Sequence, residues 1–169
     1  MLARILVFVL VTVGILVGAF YGLARRYSAP NTSMEPTVQH GDNVAVFRFA
    51  DWFAAPHRKD IVVFTAPASA PKACSGKQVE RVIGLPGETV SEQTGQVSID
   101  TKPLTEPYVK PTRRDTRTAA WHVPPGTYFV MGDNRTTACD SRTYGAIPKK
   151  DIVGRVFLTY WPFDRISIG

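Results

Sequence analysis

Hydrophobic and polar positions follow two unlike patterns along this chain. From Ile5 to Ala24 the order is ILVFVLVTVGILVGAFYGLA, without a single charge. At 1.5 Å rise per residue, roughly 20 residues make a helix of about 30 Å, the thickness of a bilayer's hydrocarbon core. A charge buried there costs a few kcal/mol, so its absence over this length predicts a transmembrane helix. A cleaved leader has a shorter apolar region of about 7–15 residues, although Gly22-Leu23-Ala24 resembles a small-x-small cleavage site.

Behind that run the period changes. Short β-rich stretches alternate with turn residues, and strands are expected at Asn43–Phe49, Asp60–Thr65, Gln78–Ile83, Thr89–Val90 onward, Gln96–Asp100, Ala119–Val123, Thr127–Met131 and Ile152–Tyr160. Thr94-Gly95 between two of them reads as a hairpin turn. Prolines at 86, 103, 107, 111, 124 and 125 suit connections and edges. The expected architecture is a mostly β, antiparallel domain over residues 27–169. Its core is 27–88 and 124–169, with a hairpin-rich insertion at about 89–123; residues 1–26 form the transmembrane anchor with flanking Arg.

Composition refines this only where it is divided. The chain carries 20 Lys+Arg against 14 Asp+Glu, a net +6, and its mean hydropathy of −0.04 hides the apolar run. Arg4, Arg25 and Arg26 carry half of that excess, so the domain behind them is nearly ordinary in charge. The tightest remaining basic group is Lys110, Arg113, Arg114 and Arg117, broken by Asp115 and prolines. It lacks the dense basic face of a nucleic-acid site and reads as a solvated loop near anionic lipid. Two aromatic groups, Trp52-Phe53 and Trp161-Pro162-Phe163, read either as core satellites or as surfaces for the bilayer headgroup region.

Four segments carry candidate chemistry: Pro30-Asn31-Thr32-Ser33-Met34-Glu35-Pro36-Thr37, Gly41-Asp42-Asn43-Val44-Ala45-Val46, Glu80-Arg81-Val82-Ile83-Gly84-Leu85-Pro86-Gly87-Glu88, and Gly132-Asp133-Asn134-Arg135 followed by Asp140-Ser141-Arg142 and Gly145. Each alone is a turn or an ion pair. In this order behind an apolar amino terminus they resemble the type I signal peptidases of bacteria, membrane-bound serine endopeptidases that remove signal peptides from exported proteins after a small-x-small motif.

The resemblance implies roles position by position. Ser33 matches the nucleophile, which attacks the scissile carbonyl to form an acyl-enzyme. The oxyanion hole would use the Ser33 backbone N–H and the side chain two residues earlier, here Asn31, whose carboxamide can donate. Pro30 and Val79 match positions near the pocket for small residues. Arg81, Gly132, Asp133, Asn134, Arg135, Asp140, Ser141 and Arg142 match the network that supports the site. The implied partners are signal peptides of preproteins and the lipid bilayer, without nucleic acid, metal or cofactor. The implied location is the plasma membrane, single-pass, with the β domain on the extracytoplasmic side. The positive-inside rule weakly opposes that orientation through Arg25 and Arg26. A disulfide between Cys74 and Cys139 would suit an oxidising exterior.

Two positions depart from the family pattern. The general-base lysine directly before the Arg of the third segment is Glu80 here, and the serine that orients that lysine is Ala138. Three accounts stand open. Lys77 substitutes, although an offset of three residues on a strand points to the opposite face about 10 Å away. Glu80 itself serves as base, since burial raises a carboxyl pKa. Or the chain keeps the peptide groove and binds signal peptides or a partner without catalysis. His40, His57 and His122 lack paired metal-ligand spacing, and a triad of Ser33, one of them and Asp140 is a further arrangement.

Overall fold

The computed structural model describes residues 2–47 and 55–168; Trp52 and Phe53 lie outside them. The apolar run forms a helix, α1 (Leu2–Leu23). The chain then passes directly into β1 (Ala24–Ser28), where Arg25 and Arg26 pair with Val46 and Ala45 of β2 (Asn43–Phe47). The sequence expectation is thereby corrected at the helix flank and left without support for a membrane span. The two arginines belong to a strand rather than to a helix flank, and among the described residues no helix is long and apolar enough to cross a membrane.

The remainder is antiparallel β. The main sheet runs β1-β2-β11-β3-β4-β9-β10, with β12 (Ser167–Ile168) on β11 (Ile152–Trp161). Its other members are β3 (Ile61–Thr65), β4 (Lys77–Gly84), β9 (Thr127–Met131) and β10 (Ile147–Pro148). A second sheet, ordered β7-β6-β5-β8, is built from β5 (Thr89–Gln93), β6 (Gln96–Ile99), β7 (Lys102–Pro103) and β8 (Thr118–His122). The β5–β6 hairpin turns on Thr94 and Gly95, with φ of 50° and 81°. Positive φ at both central residues is the backbone whose twist matches its flanking strands.

β4 explains where the site sits. It lies between β3 and β9 and is buried from Gln78 to Gly84. Val79 packs with Ile61, Val63 and Met34; Val82 packs with Val62, Phe64 and Val130; Ile83 joins Val90, Phe129 and Met131 of the layer beneath the second sheet. The polar members of this strand, Gln78, Glu80 and Arg81, are therefore carried indoors and must find partners there. A disulfide between Cys74 and Cys139, with Cα atoms 6.0 Å apart, ties the turn before β4 to the loop after β9. That loop leads into a single helical turn, α2 (Ser141–Tyr144), capped by the Asp140 side chain.

Candidate active site

Ser33 stands on the loop between β1 and β2, held from both sides. Buried Met34 anchors it in the core. On the other side, the Asn134 N–H donates to Ser33 O at 2.8 Å and Asn134 Nδ2 donates to Thr32 O at 3.2 Å. The two segments approach so closely that a Cβ on Gly132 would sit 2.6 Å from Ser33 O and 2.9 Å from Glu80 Oε2. Only glycine permits that distance. Ser33 itself is 3% exposed.

Its hydroxyl reaches Val79 O at 3.5 Å and faces the fully buried Glu80. Among the described residues neither carboxyl oxygen of Glu80 has a well-formed hydrogen bond. Burial first, then the Asp140 charge, push this carboxyl well above the usual range; the Ser33 hydroxyl pulls it partly back. Ala138 lies beside Gly132 at the same place and supplies no hydroxyl. The Tyr144 hydroxyl is likewise buried without a partner among the described residues, and burial followed by the charges of Glu80 and Asp140 raises its pKa. The Glu80 carboxyl and the Tyr144 hydroxyl thus share one region behind the serine.

The arrangement at Asn31 differs from the resemblance. The Ser33 N–H does not point into an open oxyanion site: it donates to Asn31 Oδ1 at 3.0 Å. Asn31 Nδ2 in turn donates to Gln78 Oε1 at 2.8 Å. Both donors expected to receive an oxyanion are engaged within the protein, because the carboxamide brings an acceptor as well as a donor.

The supporting residues do converge. Arg81 grips Asp133 through Nε at 2.8 Å and Nη2 at 2.6 Å, donates to Lys59 O, and carries the Tyr108 ring 4.0 Å from its guanidinium carbon. Asp140 accepts from the Gly132 N–H at 3.0 Å and from Arg142 Nε and Nη2 at 2.9 and 2.8 Å. The Ser141 hydroxyl accepts from the Val130 N–H, and Arg135 Nε donates to Gly132 O. These paired guanidinium–carboxylate bonds fix the loop after β9, and with it the back of Ser33.

Sequence reasoning missed the partners that reach in from residues 89–123. Glu106 forms a buried ion pair with Arg135. Asp115 and Glu92 lie 3.1 and 3.6 Å from Arg142 Nη1, and Arg113 meets Glu35 at 3.3 Å. A signal existed for Glu92 alone: it shares a β5 face with buried Val90, so an acid stood at an inward position. Gln78 and Tyr144 carried no motif signal.

Other expected members stand apart. Lys77 is exposed and donates to Thr65 Oγ1 at 2.6 Å, at the outer end of the β3–β4 ladder, so strand alternation turns it away from Ser33. Pro30 is exposed beside the serine loop, and the Val79 side chain is in the core with only its carbonyl toward Ser33. His57 lies 3.6 Å from Asp60 and His122 pairs with Thr89 at the end of β8, both away from the serine loop.

A loop serine thus lies against a buried strand carboxyl and is backed by a guanidinium–carboxylate network. The chain belongs to the signal peptidase family, peptidase S26, which matches it over residues 2–161. It is 36% identical over 149 residues to signal peptidase I of Leptolyngbya laminosa, covering 86% of this chain and 72% of that one. To signal peptidase I V of Bacillus subtilis (strain 168) it is 36% identical over 141 residues, 76% of this chain and 80% of the relative. A crystal structure of a signal peptidase I from Enterococcus faecalis V583 superposes with a TM-score of 0.51 at 31% identity, over 60% of this chain and 96% of that one.

Proposed function

We propose that this chain is a membrane-anchored serine endopeptidase that removes signal peptides from exported preproteins after a small-x-small motif. Ser33 is its nucleophile, and Glu80 occupies the place of the general base. The observation that carries the reading is the Ser33 hydroxyl facing a buried carboxyl that has no other partner among the described residues. In its ionised form Glu80 takes the Ser33 proton as Oγ bonds to the scissile carbonyl carbon. The same proton then passes to the amine leaving group as the peptide bond breaks. Water repeats the exchange: it gives a proton to Glu80, releases the acyl group, and Ser33 recovers its hydrogen. Because burial favours the protonated acid, cleavage rises toward alkaline pH.

Anchoring is assigned to the stretch from Ile5 to Ala24 on its sequence alone, an uncharged apolar run of bilayer-spanning length. The Cys74–Cys139 disulfide supports an extracytoplasmic β domain. The exposed Trp161 and Phe163, stacked edge to face, suit the headgroup region of a bilayer.

A second reading, a family member that binds signal peptides without cleaving them, is favoured by Ala138 beside Glu80 and by the engaged Ser33 N–H. One experiment separates the two. The purified full chain is mixed with a preprotein, and wild type is compared with Ser33→Ala, Glu80→Gln, Glu80→Lys and Glu80→Lys/Ala138→Ser. Cleavage by wild type that is lost in Ser33→Ala and Glu80→Gln supports the enzyme. Unchanged cleavage in Ser33→Ala refutes serine catalysis. Activity that emerges only with Glu80→Lys/Ala138→Ser supports the binder.

A further inference from the structure

Three amides connect β4 to the serine. Gln78, 4% exposed, sends its Nε2 to two backbone carbonyls, Cys74 O at 3.1 Å and Ser75 O at 3.2 Å. Carbonyl oxygens only accept, so the Gln78 nitrogen must face them and its Oε1 must face Asn31. Asn31 then has one choice: Nδ2 toward Gln78 Oε1 at 2.8 Å and Oδ1 toward the Ser33 N–H at 3.0 Å. Rotating the Asn31 amide by half a turn would set oxygen against oxygen at Gln78 and hydrogen against hydrogen at Ser33. The orientation of Asn31 is dictated from a strand residue 47 positions away in sequence.

We infer that Gln78 is a positioning residue which, through Asn31, keeps the Ser33 backbone N–H shut off from a substrate carbonyl. A scissile carbonyl oxygen placed for attack by Ser33 needs that N–H. Here it finds Asn31 Oδ1 in its place, so binding must first break the Asn31–Ser33 contact. With the amide of Gln78 removed, Asn31 is free to turn and present Nδ2 to the oxyanion. A residue that merely fills space would have no such effect. The inference rests on Ser33 being the nucleophile, but its first readout does not.

The test uses the full chain in detergent. Hydrogen exchange at the Ser33 amide, read at residue resolution, is compared in wild type, Gln78→Leu, Asn31→Ala and Asn31→Ser. Phosphonylation by a fluorophosphonate is followed on the same samples, with amide protection of β4 and β9 as the check on folding. The expected result is slow exchange at Ser33 in wild type and exchange about fivefold faster in Gln78→Leu, equivalent to the roughly 1 kcal/mol of one hydrogen bond. Asn31→Ala should exceed that, and Gln78→Leu should label with fluorophosphonate at least severalfold faster than wild type. Equal Ser33 exchange in wild type and Asn31→Ala overturns the inference, as does Gln78→Leu that exchanges and labels like wild type. If Gln78→Leu loses β4 protection, the Asn31→Ser comparison decides alone: faster Ser33 exchange supports the gate and unchanged exchange rejects it. Failure of the catalytic reading appears separately, as no labelling in any variant while the exchange differences persist.

Discussion

The charge state of Glu80 makes stability depend on pH in a way that one substitution removes. The folded chain holds the Glu80 proton well above the ordinary carboxylate value of 4.5, because burial and the Asp140 charge both oppose ionisation. The unfolded chain releases that proton near the ordinary value. Stability from this group is thus complete below 4.5 and is lost as pH rises through the folded-state pKa. Across that interval the loss is about 1.4 kcal/mol per pH unit, the full slope for one proton. Glu80→Gln keeps the volume and removes the titration. The assay is urea denaturation of both proteins, followed by tryptophan fluorescence, from about pH 4 to about pH 9. The variant should gain on wild type steadily above the ordinary carboxylate range and then hold a constant lead. Curves that stay parallel across the whole range would refute the reasoning, since they would mean Glu80 titrates alike in both states.

Further outcomes follow from other contacts. Glu106→Gln leaves the Arg135 guanidinium buried beside a neutral amide and should cost about 3–5 kcal/mol in chemical denaturation, the range for a broken buried pair. Gly132→Ala places a methyl against Ser33 O and Glu80 Oε2; loss of Ser33 labelling by a fluorophosphonate is expected, with the protein still folded by circular dichroism. Replacing Cys74 and Cys139 by serine opens a loop of sequence separation 65, and chain-entropy arguments give a loss of about 4 kcal/mol, read as a lower urea midpoint. Gly95→Ala meets both a φ of 81° and the Asp115 carbonyl 2.7 Å from the new Cβ; a loss of about 1–3 kcal/mol is expected by thermal unfolding.

How far the sequence could be read depended on how local the information was. β9 falls at Thr127–Met131 and β3 at Ile61–Thr65 because alternation and flanking turns act over a few residues. β1 was illegible, since Arg25-Arg26-Tyr27 looks like a helix flank until β2 is there to pair with it. At the site, the motifs brought Ser33, Glu80, Gly132 and Asp140 together, as their approach distances require. The Asn31 contact was not legible for a chemical reason: a carboxamide stands where the resemblance expects a hydroxyl, and its oxygen accepts from the Ser33 N–H. Glu106 and Tyr108 lie among prolines in a stretch without periodicity, so nothing nearby in sequence pointed to Arg135 and Arg81.

Those last contacts bear on how this family can vary. Arg81, Arg135 and Arg142 each take a partner from residues 106–115: the Tyr108 ring, Glu106 and Asp115 respectively. A shortened or exchanged connection there would take the carboxylate from Arg135 and one partner each from Arg81 and Arg142, which keep Asp133 and Asp140. Length changes between relatives should therefore collect in the hairpin tips and spare the stretch from Glu106 to Asp115. During synthesis the serine loop emerges long before that stretch does, so the arrangement around Ser33 cannot be complete until most of the chain has left the ribosome.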